Sequence, residues 1–404
     1  MKEIVILGGG YAGLRALRFL QKSKGGFHIT LVDRNDYHYE STDLHEVAAG
    51  TQPAEKILYP IEDVVDPDVT TFVQASVEKI DRDDQEVSLD NGETLSYDYL
   101  IVALGFRSES FGIEGVDDNS LPMVNVKTAI AVHDHIIAQM EDYKETHNPD
   151  DLKIVVCGAG FTGIELLGAL NDNRNEFAEI AGVAPERIEL YVVEAVTRLL
   201  PMMPEELADY GVAKLESWGV KFLTGKPIKA IKPQTVVYQT NAETGETDEL
   251  TANTIIWTTG VSGSKVIDDS GFSAKRGRMM VDSDLRDPEY RNVYLIGDCS
   301  AVMDPESNRP FPTTAQISLA MGELAAKNIL AQLAGRETGD FTYEPLGTVA
   351  SIGNTHAFGV LGNGDKTVKG YAASALKKLI MDKALTETGG SKELFAKGRF
   401  DLYH

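Results

Sequence analysis

Gly8-Gly9-Gly10-Tyr11-Ala12-Gly13 sits between an apolar run at 4–7 and a stretch with Leu14, Leu17 and Leu20 at helical spacing. Glycines at positions 8, 10 and 13 allow a tight turn, close backbone approach to a pyrophosphate and close helix–strand packing. The helix start adds free N–H groups and positive potential. Asp33, twenty positions after Gly13 at the end of a second apolar run, can accept hydrogen bonds from an adenosine ribose. The pattern recurs at Gly158-Ala159-Gly160-Phe161-Thr162-Gly163, with Glu194 as its acid. Glu194 follows Gly163 by 31 positions, beyond the usual ~20. The polar segment 171–187 accounts for the excess as a longer helix or an insertion. Two phosphate cradles call for two nucleotides, most economically one non-covalent FAD and one NAD(P)H exchanging hydride. A third element is Gly297-Asp298, where an aspartate after an apolar strand can hold a flavin ribityl chain. The plainer reading of that aspartate is a helix-capping turn.

The positioning elements follow from periodicity. Strand, helix and strand are expected at 4–7, 14–22 and 28–32, and again at 153–157, from 164 and at 189–193. Alternating stretches at 73–77 and 86–89, with the turn Asp90-Asn91-Gly92, precede a strand at 99–103. Stretches at 235–238 and 249–254, with Thr244-Gly245 as their turn, form a second such set. Strand-plus-glycine endings at 101–105 and 255–260 return the chain to each fold, and a long helix runs over 315–333. The expected class is α/β: two Rossmann-type dinucleotide-binding domains, for FAD and NADH, each with a small antiparallel β insert, plus a short C-terminal α/β anchoring region. The expected boundaries are 1–112 and 288–345 for FAD, 113–287 for NADH, and 346–404 for membrane association or dimer contact.

Composition narrows the partners. The 404 residues carry a net charge of −24, which argues against nucleic-acid binding. Cys157 and Cys299 form no CxxC or Cys/His cluster, so no disulfide framework, metal site or dithiol motif is implied. No run of 18 residues is both apolar and uncharged, so no transmembrane helix is expected. Between Lys366 and Arg399, eight basic residues face three acidic ones. With Ala372, Leu376, Leu379, Ile380 and Ala384 at helical spacing, this reads as a basic amphipathic surface anchor. A core-packing or homodimer helix is the competing reading.

Further motifs join these: ALGF at 103–106, GAGFTGIE at 158–165, IGDCS at 296–300, Tyr37-His38-Tyr39, Leu44-His45-Glu46, Pro312-Thr313-Thr314-Ala315-Gln316, Lys377-Lys378 and Lys397-Gly398-Arg399-Phe400. Over essentially its full length the chain resembles type II NADH:quinone oxidoreductases. The resemblance implies that Gly8, Gly10, Gly13, Asp33, Ala103, Gly105, Asp298 and Ala315 contact FAD. It assigns Gly158, Gly160, Gly163, Glu194 and Gly260 to NADH. Glu165 would lie near the flavin and share in proton handling. Gln316, Ile317, Ala320 and Lys377 would form the quinone pocket. Where the family motif reads AQxAxQ, this chain has Ala320 in place of the second glutamine. The implied activity is NADH oxidation through FAD with reduction of a membrane quinone, menaquinone-type or ubiquinone, without proton pumping. The implied location is peripheral, on the cytoplasmic face of the cell membrane.

Read without the resemblance, Glu165 is a first-turn carboxylate favoured by the helix dipole. Lys377 is then a solvated helix charge, His45 a structural histidine and Cys157 a small buried hydrophobe. Disulfide reductases would need a CxxxxC, thiol-dependent NADH oxidases a cysteine within 40–46, and sulfide:quinone reductases a cysteine pair at the flavin; the sequence offers none of these signals. A ferredoxin or rubredoxin reductase and a non-catalytic NADH-sensing protein stay open.

Overall fold

A computed structural model of the chain describes residues 1–400 apart from Lys24, Asn363 and Asp365; the last four positions of the C-terminal region, 401–404, lie outside the described residues. Its frame is a pair of five-stranded parallel sheets. In the first, Lys2–Leu7 is central, flanked on one side by Phe27–Asp33 and Thr70–Gln74 and on the other by Tyr99–Val102 and Val293–Leu295. In the second, Lys153–Cys157 is central, flanked by Glu189–Val193 and Lys221–Leu223 and by Thr254–Trp257 and Leu121–Pro122. Ile4, Val5, Ile6 and Leu7 are all buried, as expected of a parallel strand covered on both faces.

The first sheet is discontinuous in sequence, because its last strand arrives only at Val293. Each sheet carries a three-stranded antiparallel insert: Val77–Asp81, Glu86–Leu89 and Thr94–Ser96 in the first, Ile228–Lys232, Thr235–Gln239 and Thr247–Thr251 in the second. The stretch 73–77, expected to be one strand, straddles two: the edge strand Thr70–Gln74 and the insert strand Val77–Asp81. The crossing segments between the halves, Phe106–Ser108 and Val261–Gly263, pair antiparallel.

Helices Tyr11–Gln21 and Ala315–Leu333 pack tightly over the first sheet. Gly322 makes that approach feasible, since a Cβ there would lie 2.2 Å from the Ala12 carbonyl oxygen. The excess residues before Glu194 form a separate helix, Arg174–Ala181. Helix Val126–Thr146 was not anticipated; an Asn125/Thr128 capping box starts it, and Val126, Ala129, Val132, Ile136 and Met140 form its buried stripe.

The C-terminal region is a three-stranded antiparallel sheet, Gly347–Ile352, His356–Leu361 and Lys366–Lys369, followed by helices Tyr371–Thr388 and Gly390–Lys397. This sheet packs on helix Phe161–Asp172, where a Cβ on Gly168 would stand 2.2 Å from the Gly353 nitrogen. The expected amphipathic face is shifted. Ala373, Ser374, Lys378, Met381 and Leu385 point inward, whereas Leu379 is 61% exposed. The physical reason is that this helix lies against the molecule's own strands, so the core selects its buried face.

Candidate functional site

Both glycine loops are built alike. Gly8 adopts φ +107°, and a Cβ there would stand 2.2 Å from the Ala103 oxygen; Gly13 leaves no room for a Cβ beside the Gly8 oxygen. A Cβ on Gly10 would meet nothing within 4 Å, so this stretch of backbone is open to a ligand. Asp33 locks the loop: its Oδ2 accepts the Gly9 N–H at 2.7 Å and its Oδ1 the Asn35 N–H at 2.8 Å. Burial pushes this carboxyl up while those two N–H groups hold it down. In the second loop Gly158 adopts φ +109°, Gly163 has no room for a Cβ beside the Gly158 oxygen, and Gly160 again faces open space. Glu194 accepts the Ala159 N–H at 2.8 Å and the Val196 N–H at 3.1 Å. The late acid therefore reaches the same position as Asp33 in the first fold.

The first loop opens onto a cavity of about 580 Å³. Gly8, Gly10, Asp33, Ala103, Gly105, Asp298 and Ala315 line it, together with Glu165, Gly260 and Lys377 from the rest of the molecule. Gly13 lies beneath the loop, and Gly158, Gly160, Gly163 and Glu194 form the second cradle outside this cavity. Asp298 follows Gly297, which adopts φ +69°. Burial pushes its carboxyl up to about 6, with Arg278 opposing, and it has no hydrogen-bond partner among the described residues. A hydroxylated chain bearing a diphosphate fits these features, because it would satisfy Asp298 and occupy the open backbone at Gly10.

Glu165 lies one turn further into its helix than expected. The helix starts at Phe161 with no acid in its first turn, so dipole stabilisation does not explain the residue. Lys377 does. Its Nζ lies 2.7 Å from Glu165 Oε1, and the two side chains are only 15% and 10% exposed. Lys377 is thus not a solvated charge. Ser351 donates both its N–H, at 3.0 Å, and its Oγ–H, at 3.2 Å, to the same carboxylate oxygen. Burial alone would raise Glu165, but Lys377 and His45 outweigh it and hold the carboxyl below its usual range. Burial would likewise lower Lys377, and Glu165 holds it above its usual range.

Gln316 sits beside the cavity and not in its lining. Tyr343 Oη donates to its Oε1 at 2.8 Å, and its Nε2 reaches the Gly347 oxygen at 3.4 Å. Ile317 points into the first core and Ala320 packs against the same core, while the neighbouring Ala315 and Ser318 line the cavity. Three further residues are now seen at the site, of which sequence reasoning took His45 as structural and gave His38 and Ser351 no role. His38 shares a hydrogen bond with the Gly9 oxygen at 2.8 Å, beneath the first loop. His45 lines the cavity, and Ser351 bridges it to Glu165. The two histidines lay within motifs already noted, but nothing in sequence linked Ser351 to them. Cys157 is buried in its strand, as expected, and Cys299 shares its Sγ–H with the Val102 and Ile296 oxygens.

Comparison with known proteins gives these features a context. Residues 2–322 match the family model for pyridine nucleotide-disulphide oxidoreductases. Curated relatives from Staphylococcus aureus strain MSSA476 and from Staphylococcus saprophyticus, both named type II NADH:quinone oxidoreductase, are 42% identical over 403 residues, covering 99% of each chain. Among solved structures, NDH2 from Plasmodium falciparum in complex with NADH superposes with a TM-score of 0.86 at 18% identity, covering 98% of this chain and 97% of that one. The sulfide:quinone oxidoreductase of Aquifex aeolicus gives 0.76 at 20% identity, covering 100% and 96%. At those identities the two structures speak for the fold alone.

Proposed function

This chain belongs to the type II NADH:quinone oxidoreductases, and is thus an FAD-dependent enzyme of the pyridine nucleotide-disulphide oxidoreductase family; from that premise we propose how its residues pass electrons from NADH to a membrane quinone without pumping protons. Bound FAD supplies the two-electron chemistry, taking reducing equivalents from NADH and returning them to the quinone. The protein's part is to bind, orient and hold charge. In this reading the open backbone from Gly8 to Gly13 receives the FAD pyrophosphate, with Asp33 at the adenosine ribose and Asp298 at the ribityl chain. Gly158, Gly160 and Gly163 receive the NADH pyrophosphate, with Glu194 beside the ribose, where a 2′-phosphate would meet a like charge. Gly260 admits NADH to the shared cavity. Gln316, beside the cavity at the N-terminal turn of its helix, would turn toward a quinone carbonyl the amide hydrogen that the Gly347 oxygen does not take, and Lys377 would supply positive charge as the oxygen becomes negative.

The observation that carries this reading is the duplicated cradle. Two loops with the same glycine geometry and the same N–H to carboxylate lock need two dinucleotides, and the first opens on the cavity that holds the Glu165–Lys377 pair. Membrane docking is proposed to be peripheral, on the cytoplasmic face; no helix among the described residues is long and apolar enough to cross a bilayer. Steady-state NADH oxidation with a menaquinone-type acceptor, a ubiquinone-type acceptor and no acceptor tests the activity. The expected result is quinone-dependent turnover. NADH binding without acceptor-dependent turnover would instead support a non-catalytic sensor.

A further inference from the structure

Quinone reduction by NADH takes one proton from water. Two electrons and one proton's worth of hydrogen leave the nicotinamide, and two O–H bonds form on the quinol. Glu165 and Lys377 are poorly suited to deliver that proton. They hold each other in charge at 2.7 Å, and each titrates further from neutrality than it would alone. Exchange of a proton by either would break the pair.

His45 has the opposite character. Its imidazole is in the wall of the same cavity and only 5% exposed. Its Nε2 stands 3.4 Å from Ser351 Oγ, which is 3.2 Å from the Glu165 carboxylate. Its Nδ1 has no hydrogen-bond partner among the described residues. We propose that His45 is the group that passes the solvent proton toward the quinone, with Ser351 fixing its ring and the Glu165–Lys377 pair standing beside it as a fixed ion pair. A neutral imidazole can take a proton at one nitrogen while giving one from the other. The step therefore breaks one N–H bond and forms one O–H bond, and leaves the imidazole neutral once solvent has resupplied it. Charged groups face the ring from three sides: Glu165 from helix Phe161–Asp172, Lys377 from helix Tyr371–Thr388, and Arg399 from the C-terminal segment, with Glu46 on its own helix. Burial, then Lys377 and Arg399, lower its pKa, and Glu165 and Glu46 oppose them. The ring is thus held neutral at pH 7, ready to exchange.

This inference rests on the quinone-reductase reading, and the experiment separates the two. Stopped-flow absorbance on the holoenzyme resolves flavin reduction by NADH from reoxidation by a soluble quinone. In His45→Gln, flavin reduction should stay within about twofold, while reoxidation should slow by about 100-fold, the usual scale of acid–base assistance. The inflection of the wild-type reoxidation profile below pH 6.5, the ordinary histidine value, should vanish. A readout independent of turnover is the His45 ring-proton resonance, identified by its loss in His45→Gln. It should titrate below 6.5 in the wild type and move upward in Lys377→Met. If His45→Gln fails to retain flavin, Ser351→Ala decides; it should shift the inflection and slow reoxidation. Unchanged reoxidation and an unchanged pH profile in the decisive variant would overturn the role of His45. A wild-type flavin that NADH reduces and quinone cannot reoxidise would overturn the functional reading instead.

Discussion

Glu165 and Lys377 lie 212 positions apart in sequence and 2.7 Å apart in space. Breaking such a buried pair from one side leaves an uncompensated charge, at a cost of about 3–5 kcal/mol. Glu165→Gln and Lys377→Met should each lower the unfolding free energy on that scale, and the double variant by less than their sum, as denaturant titration of the four proteins would show. The pH dependence follows in sign. The Glu165 carboxyl is held below its ordinary value in the fold, so its stabilising share is full above pH 4.5 and fades as pH falls through the lower folded value. Lys377 is held above its ordinary value, so its share is full below pH 10.5 and fades as pH climbs past the higher folded value. Acid unfolding of Glu165→Gln should therefore lack part of the wild-type loss below pH 4.5. Glu194 supports a second prediction at this scale. A 2′-phosphate beside its carboxylate would be repelled, so kcat/KM should favour NADH over NADPH by about tenfold or more, and Glu194→Gln should narrow the gap. Equal values in the wild type would contradict its assignment. Asp33 and Glu194 were legible because a carboxylate at the end of the second strand is set by local spacing. The resemblance brought Glu165 and Lys377 to one site, but their ion pair and the Ser351 bridge were not legible, since no local rule joins a helix at 165 to a strand at 351 and a helix at 377.

Helix Phe161–Asp172 is gripped from two sides, by its own glycine loop and by the C-terminal sheet. Gly168 sits where that sheet comes closest, with the Gly353 nitrogen 2.2 Å and the Ile352 carbonyl carbon 2.7 Å from where a Cβ would stand. Backbone cannot rotate away as a side chain can. Gly168→Ala should lower stability by about 1–3 kcal/mol and raise amide exchange across Gly347–Ile352; exchange confined to the helix itself would argue against this docking. Most of the elements were readable. Strands Lys153–Cys157 and Glu189–Val193 and helix Ala315–Leu333 fall where periodicity puts them. Helix Val126–Thr146 was not anticipated, although Asn125 and Thr128 mark its start and Val126, Ala129, Val132, Ile136 and Met140 recur at helical spacing. The shifted face of helix Tyr371–Thr388 shows the other limit: lysines that sequence assigns to solvent can be drawn into a polar core.

At the scale of the whole molecule, the C-terminal charge is not a free basic face. Lys369 pairs with Glu206, Lys377 with Glu165, Lys392 with Asp63, and Arg399 with Asp43 and Glu46. Lys378 bonds Asn354, and Lys397 the Glu55 carbonyl. Beside exposed lysines such as Lys383 and Lys392, the region also offers apolar side chains outward: Leu379 at 61%, Phe395 at 78% and Phe400 at 59% exposure. Replacing these three by serine should cut flotation with anionic liposomes about tenfold or more, since each buried side chain of this size contributes about 1.5–3 kcal/mol, while flavin content stays at one per chain. Deleting everything after position 370 is a poorer test, because it would also strip Lys377 from Glu165. The overall architecture was legible because each dinucleotide fold announces itself locally; how the C-terminal region closes over the cavity was not, because that depends on contacts between distant segments. The central claim is that electrons pass from NADH through FAD to a quinone. An anaerobic two-step titration measures it most directly: one equivalent of NADH should bleach the flavin absorbance, and one equivalent of quinone should then restore it. A flavin that NADH bleaches and quinone leaves bleached would contradict the account.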